Sequence, residues 1–238
     1  MTHKPFAVFD IDGTLIRWQL YHAVVDKLAG AGLLGTQAEN KLHQSRMKWK
    51  NREHSEAFAD YEHSLITIYE SALSQIKSTE FDSMIDKVIE QYKDQVYTYT
   101  RDLVRELKEK DYFLIAISGS HHELVERLAK YYQFDDWVGS QYERSGQGFS
   151  GKKFIASKDK KALLSQMIEK HGLSLKDSYG VGDSTSDAVM LEIVQNPIAF
   201  NPNKSLFDIA KSNNWPIVIE RKNVVYKLQP NGGKYLQQ

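Results

Sequence analysis

The chain has no cysteine among its 238 residues, so a disulfide framework and a thiolate metal site are both excluded. It also has no excess of charge, because 31 Lys and Arg residues balance 31 Asp and Glu residues. A balanced chain creates no bulk electrostatic field that would favour nucleic acid. We therefore expect a protein that does not bind nucleic acid through net charge.

Long apolar runs are absent as well, and none approaches the roughly 20 residues of a membrane-spanning helix. The apolar run from Phe6 to Phe9 is too short for the core of a signal peptide. With 41% hydrophobic and 26% charged residues, the composition is that of a soluble globular protein. We expect a cytoplasmic protein without a membrane partner, built as one large domain or a domain with a sizeable insertion.

The stretch from Ala7 to Leu15 organises the rest of the chain. Phe6 to Phe9 predicts a short buried strand, and Asp10, Asp12 and Gly13 follow it closely. If the strand is central, Asp10 lies at its C-terminal end, where open α/β sheets bind their ligands. Taken alone, Asp-x-Asp-Gly is equally compatible with a simple Asx-type turn.

Three stretches between Arg17 and about Tyr92 have apolar residues at helical spacing, and a polar stretch from Gln37 to Glu56 separates the first two. This part of the chain contains no strand signal. A helical block after a single strand predicts an inserted domain, which we place at residues 17–96. The core domain would then consist of residues 1–16 and 97–238.

From Thr100 onwards, predicted strands alternate with predicted helices. This alternation favours an α/β fold with a doubly wound, mostly parallel sheet. Thr100 is a plausible N-cap, a helix begins at Ser157 and ends at Gly172, and the tail from Gln229 looks frayed. The predicted strands cover residues 112–117, 138–142, 179–181, 198–200 and 217–219.

Small polar and acidic residues follow two of these strands. Ser118 and Gly119 come after residues 112–117, and Asp183 and Asp187 come after residues 179–181. The helix predicted from Ser157 also has three lysines in its first turn, where the helix dipole disfavours positive charge. At least one of them is expected to have an anionic partner, although a solvated turn would also fit. These lysines are Lys158, Lys160 and Lys161.

In a parallel sheet these strand ends share one edge, so Asp10, Asp12, Asp183 and Ser118 are expected to meet there with a lysine. Carboxylates this close repel each other unless a hard divalent cation such as Mg²⁺ neutralises them. A lysine and a serine hydroxyl suit a phosphoryl group, one carboxylate can act as nucleophile, and another can act as general acid and base. The pattern therefore predicts phosphoryl transfer.

Four motifs carry a resemblance to the haloacid dehalogenase-like hydrolase superfamily, in its phosphoserine-phosphatase-like branch. The resemblance implies a Rossmann-like core and identifies residues 17–96, by placement, with the family's helical cap domain. The motifs are Asp10-Ile11-Asp12-Gly13-Thr14-Leu15, Ser118 after a hydrophobic strand, a lysine at a helix start, and Gly182-Asp183-Ser184-Thr185-Ser186-Asp187.

The resemblance implies a role for each acidic residue. Asp10 would be the nucleophile that forms an aspartyl-phosphate and would also bind Mg²⁺. Asp12 would protonate the leaving oxygen and then activate water, and its backbone carbonyl would bind Mg²⁺. Asp183 would be a further Mg²⁺ ligand, and Asp187 would orient the metal ligands.

The resemblance also implies a phosphate site. Ser118 and the Gly119 N–H would hold the phosphoryl oxygens, and a lysine would pair with Asp10. We assign that lysine to Lys160, because it precedes Leu164 by four residues as in the family pattern. Lys158 and Lys161 remain alternatives.

The expected reaction is hydrolysis of a small phosphomonoester. Phosphoserine phosphatases carry a glutamate seven residues beyond the second Asp, where this chain has Gln19, and usually a serine in place of Gly13. Both departures argue against phosphoserine as substrate. Arg17, Gln19 and His22 are candidate substrate contacts.

Other functional classes fit the same pattern less well. A phosphotransferase would use the same intermediate, and a non-catalytic phospho-ligand-binding protein could keep the fold. Phosphorylated receiver modules are shorter and begin with adjacent carboxylates, so they fit least.

Overall fold

The structure is a computed structural model that describes residues 4–231 and 234–237. The chain divides into two compact units. The first, which we call the core unit, comprises Met1–Trp18, Tyr92–Gln141 and Ile155–Gln238. The second, the helical unit, comprises Gln19–Gln91 and Tyr142–Phe154.

In the described residues the strands are β1 (Pro5–Phe9), β2 (Phe113–His121), β3 (Asp136–Ser145), β4 (Gly148–Phe154), β5 (Ser174–Gly182), β6 (Asn196–Phe200), β7 (Ile217–Arg221), β8 (Val224–Asn231) and β9 (Lys234–Gln237). They belong to one sheet in the order β4-β3-β2-β1-β5-β6-β7-β8-β9. Along this order, pairing is parallel from β3 to β7 and antiparallel between β7, β8 and β9, which confirms the predicted mostly parallel α/β sheet.

Strand β1 lies at the centre of the sheet, between β2 and β5. Its residues from Phe6 to Phe9 are fully buried, as are those of β2 from Leu114 to Ile117. Continuous burial of this kind is typical of parallel strands that are covered on both faces, and it explains why both runs are apolar without alternation. The sheet therefore carries Asp10 at the end of its central strand.

Within the described residues, four α-helices lie in the inserted segment and five follow it. Of the helices in the described residues, none is long and apolar enough to cross a membrane. They are α1 (Leu20–Gly30), α2 (Thr36–Lys50), α3 (Ala57–Leu73), α4 (Ser78–Tyr92), α5 (Thr98–Glu109), α6 (His122–Tyr131), α7 (Lys160–His171), α8 (Ala188–Leu191) and α9 (Lys204–Ser212).

The helical unit differs in extent from the predicted insertion at residues 17–96. It begins at Gln19 and also includes Tyr142–Phe154, where the end of β3 and all of β4 form a strand pair. Because residues 142–154 are far in sequence from the insertion, no periodic pattern within residues 17–96 could indicate that they join this unit. The use of this unit as a cap domain stays a prediction.

The start of α5 corrects the prediction that Thr100 is an N-cap. The helix begins at Thr98, and the carboxylate of Glu220 accepts hydrogen bonds from the N–H groups of Thr98 (3.0 Å) and Tyr99 (2.8 Å). Thr100 instead donates its hydroxyl to the Thr14 carbonyl at 2.8 Å. A distant carboxylate on β7 thus replaces the local cap, because it satisfies two orphan N–H groups at once.

The helix expected from Ser157 begins with a 3₁₀ turn, Ala156–Lys158, before α7 starts at Lys160. It ends as predicted at Gly172, which adopts φ 59°. The frayed tail predicted from Gln229 is wrong for the described residues, which form the end of β8 and β9. The Tyr235 hydroxyl holds β9 in place by bonding the carbonyls of Ala210 and Trp215. Residues 232, 233 and 238 lie outside the described residues.

Candidate active site

The C-terminal ends of two neighbouring strands, β1 and β5, bring three acidic residues together. Asp10 follows β1 directly, and its N–H donates to the Val181 carbonyl of β5 at 3.0 Å. Asp183 follows β5, and Asp187 lies in the next 3₁₀ turn. Carboxylate oxygens of Asp10, Asp183 and Asp187 lie within 4.8 Å of one another. Asp10, Asp183 and Asp187 therefore meet at one edge of the sheet in the core unit.

Lys160 is the lysine that reaches this cluster. Its Nζ lies 2.6 Å from Oδ1 of Asp10 and 2.6 Å from Oδ1 of Asp187. Lys160 and Leu164 lie on the buried face of α7, whereas Lys158 and Lys161 are exposed. The helix face that packs on the sheet thus selects one lysine of the three.

The negative charge of the cluster exceeds the charge that Lys160 supplies. Burial raises the pKa of Asp10 to about 8, and Asp187 and Asp12 add to this rise while Lys160 opposes it. Burial also raises the pKa of Asp183 well above its usual range, together with the charges of Asp10 and Asp187. Such a site gains stability from a further positive charge.

The donor set fits a hard divalent cation. Carboxylate oxygens are the ligands that Mg²⁺ prefers, and no softer donor belongs to the group formed by Asp10, Asp183 and Asp187. The close approach of three carboxylates, two of them buried and Asp183 half-buried, is costly without such an ion. The residues present therefore fit Mg²⁺.

Asp187 organises the loop that carries Asp183. Its Oδ2 accepts hydrogen bonds from the N–H groups of Asp183 (3.1 Å) and Ser184 (2.8 Å) and from the Ser184 hydroxyl (2.8 Å). Its other oxygen is bound to Lys160. A Cβ on Gly182 would overlap the Asp187 side chain, so this approach requires glycine. Asp187 thus positions other groups of the site.

Asp12 forms a hydrogen bond with Ser118, and its charge also acts on Asp10. The Ser118 hydroxyl donates to Oδ2 of Asp12 at 2.7 Å and accepts from the Ser120 N–H at 3.0 Å. Gly13 turns the chain with φ 79°, and the next residue, Thr14, donates its hydroxyl to Oδ1 of Asp183 at 3.2 Å. The two acids of the first motif therefore have different surroundings, as two different chemical roles require.

Strand β2 continues through Ser118 and Gly119, where the sequence predicted a turn, and its backbone at Gly119 is held by a residue that the sequence motifs do not include. Ser140 donates its hydroxyl to the Gly119 carbonyl at 2.6 Å and accepts from the Ala156 N–H at 3.2 Å. A Cβ on Gly119 would lie only 3.1 Å from Cβ of Ser157. The one feature of the sequence that could have indicated this role is that Ser140 is a hydroxyl residue within the strand predicted at residues 138–142.

The three predicted substrate contacts lie in different places. Arg17 is exposed in the core unit, with its guanidinium 5.6 Å from the ring centre of Tyr97. Gln19 precedes α1 in the helical unit. His22 is buried inside that unit, where its ring meets Tyr61 edge to face at 5.0 Å. This placement favours a packing role for His22 over a substrate contact.

The model of one protein family, described as haloacid dehalogenase-like hydrolase, matches residues 7–192. The chain belongs to this family. The match includes all four motifs, and within the haloacid dehalogenase-like hydrolases the chain resembles the phosphoserine-phosphatase-like branch.

Two curated relatives of the chain are named as phosphatases. The chain is 26% identical over 229 residues to phosphoserine phosphatase of Archaeoglobus fulgidus, covering 93% of this chain and 58% of the relative. It thus spans less than two thirds of that protein. It is 23% identical over 223 residues to histidinol-phosphatase of Neisseria meningitidis serogroup C, covering 90% of this chain and 98% of the relative.

A solved structure described as a phospho-aspartyl intermediate analogue of phosphoserine phosphatase has the same fold. It aligns with a TM-score of 0.64 at 19% identity, over 93% of this chain and 95% of that one. At this identity the likeness shows the fold alone.

Proposed function

We propose that the protein is a Mg²⁺-dependent phosphatase that hydrolyses a small phosphomonoester through an aspartyl-phosphate on Asp10. The observation that carries the proposal is the group of the buried Asp10 and Asp187 and the half-buried Asp183, with Lys160 paired to the first two. Membership of the hydrolase family and two relatives named as phosphatases support it. Phosphoryl transfer needs positioning and compensation of negative charge, and this site offers both.

The first step is nucleophilic attack by Asp10. A carboxylate oxygen of Asp10 attacks the phosphorus atom, and the bond from phosphorus to the ester oxygen breaks. Lys160, held on Oδ1, fixes the orientation of the carboxylate and compensates charge on the phosphoryl oxygens. The Ser118 hydroxyl and the Gly119 N–H would bind those oxygens.

Asp12 would move the protons in both steps. As an acid it donates a proton to the leaving alcohol oxygen, and as a base it then removes a proton from the water that attacks phosphorus. That attack releases inorganic phosphate and restores the Asp10 carboxylate. Before substrate binds, the hydrogen bond from the Ser118 hydroxyl to Oδ2 holds the Asp12 carboxylate in place.

The Mg²⁺ ion would be held by the carboxylates of Asp10 and Asp183 and by the backbone carbonyl of Asp12. Asp187 is committed to Lys160 and to the N–H groups of Asp183 and Ser184, so it would orient ligands instead of binding the ion. When bound, the ion supplies the positive charge that the carboxylates and a phosphoryl group require together.

The substrate class is a small phosphomonoester. Gln19 and Gly13 depart from the phosphoserine phosphatase pattern, and the relatives carry different substrate names. We therefore do not extend phosphoserine or histidinol phosphate to this chain.

The direct test is phosphate release from a panel of phosphomonoesters, measured with Mg²⁺ and with EDTA. We expect metal-dependent turnover by the wild type and none by Asp10→Asn, which keeps the shape of the side chain but not its nucleophilic charge. Asp159→Asn is the matched control, since Asp159 is exposed just before α7. Activity of Asp10→Asn near the wild-type rate would refute the assignment, and transfer to an added alcohol in place of water would identify a phosphotransferase.

A further inference from the structure

Arg17 is anchored beside the turn that carries Asp12. The N–H of Gly13 donates to the Ile16 carbonyl at 3.0 Å, which closes this turn tightly. The Arg17 N–H then donates to the Gln95 carbonyl at 2.8 Å, and the chain around Ile16 pairs with Val96 as an antiparallel bridge. The backbone of Arg17 is therefore fixed next to the proposed proton donor.

Tyr97 provides a rigid platform for the Arg17 side chain. Its ring meets Phe200 edge to face, with ring centres 4.9 Å apart. The Asn201 side chain forms a hydrogen bond with the Tyr97 hydroxyl, and its Oδ1 accepts the Glu220 N–H at 2.9 Å. These contacts leave Tyr97 little freedom to move.

The platform lies at the edge of the sheet where the carboxylates meet. Phe200 ends β6, and Gly182 at the end of β5 pairs with Ala199 beside it. The pKa of Tyr97 is raised by burial and, next in size, by the charge of Asp183. Both observations place Tyr97 at the edge of the sheet that carries the proposed metal ligand Asp183, and the Arg17 guanidinium lies over the Tyr97 ring.

The charge of Arg17 is not neutralised by a carboxylate within the described part of the chain. Its guanidinium lies over the Tyr97 ring at 5.6 Å and is exposed. By contrast, Arg46 and Arg144 form ion pairs with Asp26 and Asp82. A guanidinium that rests on an aromatic face keeps its N–H edge available for an oxyanion.

We propose that Arg17, held on Tyr97, binds a second acidic group on the alcohol part of the substrate. The guanidinium fork matches the two oxygens of a carboxylate or of a second phosphate and can bind either in a bidentate manner. The proposal rests on the proposed phosphatase function and narrows its substrate class. Substrates would be phosphomonoesters of alcohols that also carry an acid, and a substrate amine at this position would be repelled.

A matched set of two-carbon substrates tests this. Phosphoglycolate carries a carboxylate, ethane-1,2-diol bisphosphate carries a second phosphate, and ethyl phosphate carries no second acid. For Arg17→Gln we expect kcat/KM to fall about ten- to hundred-fold on at least one acid-bearing substrate, mainly through KM, as for loss of a charged hydrogen bond. On ethyl phosphate it should change less than about two-fold, and an equal loss on all three substrates would overturn the proposal.

Control variants separate recognition from general damage. Arg105→Gln removes an exposed arginine of α5 and should leave the activity on every substrate unchanged. Tyr97→Phe keeps the ring under Arg17 and should keep the preference for acids, whereas Tyr97→Leu removes the platform and should weaken that preference. A preference that is identical in Tyr97→Leu and in the wild type would contradict the role of the ring.

A binding measurement separates this proposal from the phosphatase assignment. Calorimetric titration of Asp10→Asn, with and without Arg17→Gln, compares phosphoglycolate with inorganic phosphate. Selective weakening of phosphoglycolate binding supports Arg17 even if the wild type turns over no ester, in which case only the phosphatase assignment fails. The role of Arg17 is overturned if Arg17→Gln weakens the binding of phosphoglycolate and of inorganic phosphate equally, or if no binding of phosphoglycolate can be measured. If the wild type at the same time hydrolyses ethyl phosphate, the phosphatase assignment still holds.

Discussion

Lys160 bridges Asp10 and Asp187 with its Nζ 2.6 Å from one oxygen of each, although Lys160 and Asp10 are 150 residues apart in sequence. The lysine side chain is 1% exposed, so both ion pairs are out of contact with water. The carboxylates raise the pKa of Lys160 and outweigh the effect of burial, which alone would lower it. Lys160 therefore both neutralises buried carboxylates, which stabilises the fold, and holds the proposed nucleophile Asp10 in place.

Replacing Lys160 with methionine should therefore cost both stability and activity. The change leaves two buried carboxylates without their counter-charge, which typically costs about 3–5 kcal/mol. Lys161→Met, at an exposed position of the same turn, should alter stability by less than about 0.5 kcal/mol. Chemical denaturation of both variants measures this, and wild-type stability of Lys160→Met would show that the bridge is not needed.

The sequence was sufficient to predict that the acids meet, because parallel strands end at a common edge and each motif directly follows an apolar run. It left the lysine open, since Lys158, Lys160 and Lys161 occupy one turn. Only the packing of α7, which buries Lys160 with Leu164, selects between them.

Long-range partners were beyond the reach of local patterns. Glu220 caps α5 from β7, and Ser140 on β3 donates its hydroxyl to the Gly119 carbonyl of β2. Neither contact has a counterpart in the apolar periodicity or in the turn residues around α5 or Gly119, so the sequence near those positions could not reveal it. For the same reason the contribution of Tyr142–Phe154 to the helical unit was not predicted.

Gly13→Ala should damage the metal site through a steric clash. Gly13 has φ 79°, and an added Cβ would overlap the carboxylate of Asp183. We expect kcat/KM to fall at least about ten-fold, as for misplacement of a positioned group, with a higher Mg²⁺ concentration needed for half-maximal rate. The measurement is steady-state kinetics across a Mg²⁺ titration.

Gly32→Ala is the matched control for backbone strain. Gly32 has φ 69° but nothing lies within 4 Å of the added Cβ, so only a left-handed backbone penalty of about 1 kcal/mol applies. Its activity per folded molecule should equal that of the wild type. If both variants lost activity equally, strain and not the clash with Asp183 would explain the effect.

Divalent cations should stabilise the protein against heat. Because Asp10, Asp183 and Asp187 crowd together, Mg²⁺ should raise Tm, with a gain of about 2.7 kcal/mol at one hundred times Kd. Asp183→Asn removes one negative charge and should raise Tm in EDTA while abolishing the response to Mg²⁺. A thermal melt with and without Mg²⁺ measures both, with Asp159→Asn as control. An unchanged response in Asp183→Asn would exclude this residue as a ligand.

His22 should make stability depend on pH. Burial, assisted by the charge of Arg46, lowers the pKa of His22 to about 4, compared with about 6.5 in the unfolded chain. The unfolded state therefore binds this proton more tightly than the folded state does. The contribution of His22 to the free energy of unfolding is fully present above about pH 6.5, and it falls by up to about 3 kcal/mol as the pH decreases towards 4. His22→Phe should flatten this slope in denaturation experiments, whereas His63→Gln, at an exposed position, should not. A wild-type slope in His22→Phe would assign the dependence to other groups.

Covalent trapping at Asp10 is the most direct measurement of the proposed chemistry. The protein is mixed with substrate and Mg²⁺, quenched in acid within the first turnovers, digested and analysed by mass spectrometry. We expect a phosphoryl group on the peptide that contains Asp10, removed by hydroxylamine as an acyl phosphate and absent from Asp10→Asn. A phosphoryl group on another residue, or phosphate release by Asp10→Asn at the wild-type rate, would contradict a nucleophilic Asp10.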